Sequence, residues 1–192
     1  MVQTTPWARH DFSSDSEHSG AWVSLRLPWI SFRFYKGRGL SERDHHFSNS
    51  AMTDIPKPTV QAFLVCDQVI EDSLTKKKSL IGIFTHLQAP SFPFQHQQMG
   101  LYFCLTDAEG HYHFDIDLVY LNAEQLVCRA TLPNIEIGDR LQISDFGINI
   151  PLLIFPAPGR YEFRLRMEGH LIAQKDFSVM PPTHPSTAEP SA

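Results

Sequence analysis

The sequence predicts an all-β protein, an antiparallel β-sandwich of seven to eight short strands between disordered termini. Three observations carry that expectation. Apolar residues alternate with polar ones over several stretches, most clearly in HYHFDIDLVY at 111–120. Proline, glycine and aspartate clusters break the chain between those stretches. No segment carries an apolar stripe at helical spacing.

The expected strands follow in order. Residues 59–66 (TVQAFLVC) are short, apolar and β-rich, and follow Pro56 and Pro58. Lys76, Lys77 and Lys78 read as a solvated turn before a second strand, SLIGIFTHL at 79–87. Gly82, inside that strand, is expected to mark a bulge or a close backbone approach. Pro90 and Pro93 lie in the next loop. GLYFCLT at 100–106 puts Leu101, Phe103 and Leu105 on one face. Asp107 to Gly110 reads as a hairpin loop.

Along 111–120, Tyr112, Phe114, Ile116, Leu118 and Tyr120 share one face, and His111, His113, Asp115 and Asp117 the other. Residues 124–132 alternate with Leu126, Cys128, Ala130 and Leu132 together. Residues 133–158 hold Pro133, Pro151, Pro156 and Pro158, and read as irregular around one short strand at 146–153. GRYEFRLRM at 159–167 turns Tyr161, Phe163, Leu165 and Met167 inward, Glu168-Gly169 makes the turn, and residues 170–179 return. An immunoglobulin-like topology is the expectation, with a barrel as the alternative, because pattern alone does not count sheets.

The chain falls into three parts: an N-terminal extension at 1–55, the sandwich at 56–180 and a Pro-rich tail at 181–192, with both ends expected to be disordered. Residues 1–51 hold all three tryptophans and a near-balanced six basic and five acidic residues. Their most apolar stretch, 21–35, is broken by Arg26, Pro28 and Arg33, which counts against a secretory signal. Met52 opens a polar lead into the first strand and is expected to be the true start.

Charge narrows the function classes. With 16 Lys+Arg against 21 Asp+Glu, the net charge of -5 argues against a nucleic-acid partner. No run of about 18 apolar residues exists, so no membrane-spanning helix is expected. Three cysteines are too few for a disulfide scaffold, and a cytoplasmic location is expected.

The strings FLVCDQVIEDSLTKKKSLIGIF, LTDAEGHYHFDIDLVY and FPAPGRYEFRLRMEGHLIAQKDFSV, in that order, resemble a bacterial family of small β-sandwich domains of unknown function. The matching positions are Cys66-Asp67, Ser79 to Phe84, Thr106-Asp107 with Gly110, and Pro158-Gly159 with Tyr161 and Phe163. The resemblance covers about residues 59–180. It implies the fold and supplies no catalytic residue.

Four constellations invite chemistry. His111, His113 and Asp115 point the same way on one strand, with side chains about 6.6–6.8 Å apart at each step of two. Such a row could hold zinc if a further ligand came from elsewhere, His86 or His96 being candidates. The competing explanation is the polar side of an ordinary sheet. The cysteines lack a Cys-x-x-Cys spacing and read as buried small hydrophobes. Asp145-Phe146-Gly147 spells a kinase tripeptide with none of its companions, so Phe146 reads as core and Gly147 as a bulge or turn. Arg160, Arg164 and Arg166 with Glu162 could bind an acidic partner, against cross-strand pairing to Lys175 or Asp176.

Binding rather than catalysis is therefore expected: a non-enzymatic protein-interaction module without a cofactor, whose partner is an unknown protein or, through strand edges, a second copy. A zinc-type protein or hydrolase using His111, His113 and Asp115 is one alternative. A small-molecule or carbohydrate binder using Tyr102, Tyr112, Tyr120 and Phe92 is another.

Overall fold

A computed structural model describes residues 21–27, 30–36 and 57–182. The described residues form eleven strands: β1 (Ala21–Leu27), β2 (Ile30–Lys36), β3 (Thr59–Glu71), β4 (Lys78–Ile83), β5 (His86–Gln88), β6 (Phe94–Thr106), β7 (Gly110–Tyr120), β8 (Gln125–Ile137), β9 (Ser144–Phe155), β10 (Gly159–Met167) and β11 (His170–Met180). They form two sheets, β1-β2-β8-β7-β10-β11-β5 and β4-β3-β6-β9. Pairing is antiparallel except between β5 and β11. The chain changes sheet from β2 to β3, β4 to β5, β5 to β6, β6 to β7, β8 to β9 and β9 to β10. That is the two-layer Greek-key arrangement of an immunoglobulin-like sandwich, and the barrel alternative falls.

The alternating faces are where the pattern puts them. Tyr112, Phe114, Ile116 and Leu118 of β7 are buried, as are Tyr161, Phe163, Leu165 and Met167 of β10. They meet Leu101, Phe103 and Leu105 of β6 across the sandwich, where Phe103 packs against Phe114 at 5.9 Å between ring centroids. Each fully buried aromatic of this kind removes apolar surface worth roughly 1.5–3 kcal/mol from water. Tyr161 sits at the start of β10, and its hydroxyl donates to the Ala157 carbonyl at 2.6 Å. This is the corner that fixes the entry of such a strand in immunoglobulin-like domains. The β10–β11 turn has Glu168 and Gly169 at φ 46° and 80°, as a type I′ hairpin requires.

Four differences from the sequence expectations have physical causes. Residues 79–87 are two strands, since β4 pairs with β3 while β5 pairs with β11 in the other sheet. Residues 133–158 hold more strand than expected: β8 runs on to Ile137, and the short strand expected at 146–153 is part of the twelve-residue β9, leaving 138–143 and 156–158 outside the strands. Their prolines are tolerated because Pro133 lies beyond the part of β8 paired to β2, and Pro151 lies on the edge strand β9. Lys78 is not a solvated turn residue: its side chain is 11% exposed, between Asp145 at 2.9 Å and Glu71 at 3.4 Å. Finally, β1 and β2 fall within the segment expected to be disordered. Ile30, Phe32 and Phe34 share one face of β2 and pack on the core, and Arg33, which seemed to break the apolar stretch, is exposed on the other.

The smaller sheet has an unusual crossing. The second half of β3 leaves β6 and lies over the outer face of β6 and β9. Gly100 permits this: a Cβ there would stand 2.9 Å from the backbone of Gln68 and Val69. Val69 then packs over Gly147, and the Asn149 side chain takes over the role of a strand partner. Its Nδ2 donates to the Val69 carbonyl at 2.8 Å, and its Oδ1 accepts from the Val69 N–H at 2.9 Å. Gly82, at φ +64°, stands opposite Asp67 with no shift of register between the pairs Cys66–Ile83 and Gln68–Ile81, so it is a close approach and not a bulge: a Cβ there would collide with the Asp67 carboxylate.

Candidate functional site

The row His111, His113, Asp115 and Asp117 lies on β7, facing outward from the larger sheet. Its neighbours are β8 and β10, and register decides what each side chain meets. Asp117 stands opposite Arg129 of β8 and Arg164 of β10. Its carboxylate, only 3% exposed as a residue, accepts from Nε and Nη2 of Arg129, the latter at 2.9 Å, and from Nε of Arg166 at 3.2 Å. Asp115 accepts from the Thr131 hydroxyl at 2.6 Å, and its Oδ1 lies 3.6 Å from His113 Nε2. The His113 N–H donates to Glu168 at 2.7 Å. His111 is exposed and in register with Glu136.

Arginines continue the ladder. Arg164 donates to Glu162 at 2.6 Å and lies 3.6 Å from Glu124. Arg160 donates to Asp176 at 2.7 Å, a hydrogen bond that holds the Asp176 carboxyl below its usual range. The cross-strand pairing to Asp176 is thus present. The face is a closed network of carboxylates and guanidinium groups, each two-pronged pair fixed in angle as well as distance.

Among the described residues, neither His86 nor His96 joins the row of His111, His113 and Asp115. His96 is in the smaller sheet, among the rings of Phe94 and Phe155. His86 is on β5, at the far edge of the larger sheet. Among the described residues no three His, Cys, Asp or Glu side chains are grouped to hold a metal ion. A metal at Asp115 or Asp117 would also have to displace Thr131 or two arginines.

The cysteines are free and buried. Burial pushes the Cys66 thiol up, and pushes Cys128 up much further, so neither is poised as a thiolate nucleophile. Phe146 of the Asp-Phe-Gly string stacks on Phe103 at 4.8 Å, and Asp145 holds Lys78. Tyr112 is 1% exposed, and Tyr120 donates to the Pro158 carbonyl at 3.0 Å with its ring 4.9 Å from that of Tyr161. Burial lifts the Tyr161 hydroxyl to about 12, so it stays protonated in its corner.

Three features escaped the sequence. One is Arg129 as the partner of Asp117, which only register reveals. Another is Lys78 with Glu71 and Asp145. The third is a cleft of about 260 Å³ between β8 and β9. Ile30, Leu132, Ile135, Phe146 and Ile148 line it, with Lys78 and its two carboxylates at the rim. The alternating apolar residues were a usable signal for the lining, but not for the opening.

Fold and site together define a two-sheet immunoglobulin-like domain whose polar face is internally paired. Among the described residues no helix is long and apolar enough to cross a membrane. The chain belongs to DUF6941, a family of unknown function, whose model matches residues 61–180. That agrees with the resemblance read from the ordered strings. No curated protein matches the sequence.

Two solved structures are similar in part. One is an alkylpurine DNA glycosylase of Pseudomonas fluorescens bound to DNA containing an abasic site analog. Its TM-score is 0.42 at 10% identity, over 65% of this chain. The chain spans only 31% of the glycosylase's length. The other is an immunoglobulin-like protein of Pseudomonas aeruginosa, with a TM-score of 0.31 at 11% identity, over 64% of this chain and 96% of that one. Likeness at this level says nothing of what the chain does.

Proposed function

We propose that the domain is a non-enzymatic protein-interaction module that engages its partner through the β4 edge of the smaller sheet, which pairs with no further strand among the described residues. The observation that carries this is β4. It is an edge strand, and Ile81 and Ile83 on it are 49% and 58% exposed. Edge strands normally carry charge or proline, because unpaired N–H and C=O groups beside apolar side chains invite another strand. Here the lysine that opens the strand is neutralised by Asp145 and Glu71. Ile70 of the neighbouring β3 adds a further half-exposed apolar residue. A cytoplasmic location belongs to the same reading, since three free buried thiols suit a reducing compartment.

Wild type and Ile81→Lys/Ile83→Lys serve as paired baits under identical conditions. Both substituted positions are exposed, so equal melting temperatures are expected. The wild type retains a partner or a second copy, and the variant loses it. A wild type that stays monomeric and retains nothing, or equal retention by both, overturns the proposal.

A further inference from the structure

We infer that the β4 edge selects an extended, acidic-ended peptide segment as an added strand, one that sets apolar side chains at its Ile81 and Ile83 end and a carboxylate against Lys77. This rests on the interaction reading above and names the chemistry of the partner at that same edge.

The first observation is which backbone groups face outward. The Asp72 N–H donates to the Lys77 carbonyl at 2.9 Å, so residues 72 and 77 close the β3–β4 hairpin as a hydrogen-bonded pair. Such pairs alternate along an antiparallel ladder. Ser79 and Ile81 therefore bond to Ile70 and Gln68, while the N–H and C=O groups of Lys78 and Leu80 point away from β3. Among the described residues no strand takes them up. In strand addition those main-chain groups give affinity, and the side chains between them give selectivity.

The second observation is the row of side chains between those groups. Lys77, Ser79 and Ile81 share one face by period two, and all three are exposed. Ile83, beyond Gly82, is exposed as well. Lys77, Ser79 and Ile81 would meet an added strand at its non-hydrogen-bonded positions, where opposed side chains come closest. Ile70, opposite Ser79 on β3, is 45% exposed and widens the apolar part.

The third observation is charge. The neighbouring groups are already engaged. Lys78 lies between Asp145 and Glu71, and Lys76 lies 3.5 Å from Glu71. The Asp72 carboxylate accepts from the Leu74 and Thr75 N–H groups and the Thr75 hydroxyl. Lys77 is the exposed cation of this turn that pairs with no carboxylate among the described residues. Opposite charges facing each other across a strand pair favour pairing, and like charges oppose it. One end of the edge thus selects a carboxylate and the other an apolar side chain.

The probe is the capped peptide VTVTSTE. Aligned antiparallel, it sets its valines against Ile83 and Ile81 and its glutamate against Lys77. A twin peptide carries lysine in place of that glutamate. Each is titrated into the nitrogen-15-labelled full chain and into Lys77→Glu, and amide shifts are read by NMR. The Lys78 and Leu80 amides should shift most. The wild type should prefer the glutamate peptide about fivefold, and Lys77→Glu should reverse the preference. Lys77 is exposed, so the variant should melt like wild type. No binding, a preference that does not follow residue 77, or largest shifts away from β4 overturns the inference. Shifts of β4 amides that depend on protein concentration without peptide would make the occupant a second copy and overturn it too. If the paired baits separate as expected while the peptides do not, the edge still binds and only the chemistry assigned here fails.

Discussion

On its outer face, the larger sheet is polar and closed on itself. Asp117, Asp115, Glu162 and Asp176 each have a named donor, and the arginines of β8 and β10 are shared among them. The outer face of the smaller sheet is made differently. There β3 crosses β6 at Gly100 and is caught by Asn149, while Ile81 and Ile83 remain in water. The first face has spent its hydrogen-bonding capacity internally and offers little to a ligand. The second is held by close backbone approach, and among the described residues no strand pairs with its β4 edge. On the proposed function, exposed apolar edge residues rather than abundant charge mark the binding surface.

The largest expected effect tests the closed face. Arg129→Ala/Arg166→Ala strips both guanidinium groups from a carboxylate that is almost fully buried. An unpaired buried charge costs about 3–5 kcal/mol, read by urea unfolding. Arg160→Ala breaks only the half-exposed pair with Asp176 and should cost about 0–1 kcal/mol. Similar losses in the two variants would show that burial does not set the energetics of this face.

Next in size is the crossing. Gly100→Ala puts a Cβ 2.7 Å from Cys66 Sγ and 2.9 Å from the β3 backbone. Backbone cannot swing aside as a side-chain tip can, so a loss of about 1–3 kcal/mol is expected in the same assay. Unchanged stability would mean that β3 does not lie against β6 there.

The smallest effect is a pH dependence. His96 Nε2 is buried without a hydrogen-bond partner. Desolvation lowers its pKa, against an opposing pull from Asp67. The folded state then binds fewer protons than the unfolded chain below the ordinary histidine value of about 6.5. Its contribution is complete above that value and falls as pH drops through it. Melting temperatures between about pH 7 and pH 5 should decline, and His96→Phe should flatten the slope. The depressed Asp176 carboxyl acts only below the ordinary carboxylate range of about 3.9, outside that window. A slope unchanged in His96→Phe would assign the dependence to other groups.

Much of the fold was legible because a strand writes its two faces into alternate residues. The buried face of β7, the Tyr161 to Met167 row and the Glu168-Gly169 turn were all readable from local pattern. The hairpin β1–β2 was harder, since Arg33 looks like an interruption until its outward direction is known. The continuation of β8 through Pro133 and the full length of β9 around the expected strand at 146–153 were hidden, because tolerance of Pro133 and Pro151 depends on lying at a sheet edge, which no local window records. Of the candidate site, the row on β7 was visible, but its company was not.

By itself, then, the sequence determined the class of the fold and which side of each strand faces the core, because period two is a property of neighbouring residues. Tertiary structure alone decided who meets whom. Arg166 reaches Asp117 from 49 residues away, and Asn149 takes the Val69 backbone from 80 away. The register of one strand against another, and the crossing at Gly100, come from packing two sheets together, a balance that no single stretch of chain contains.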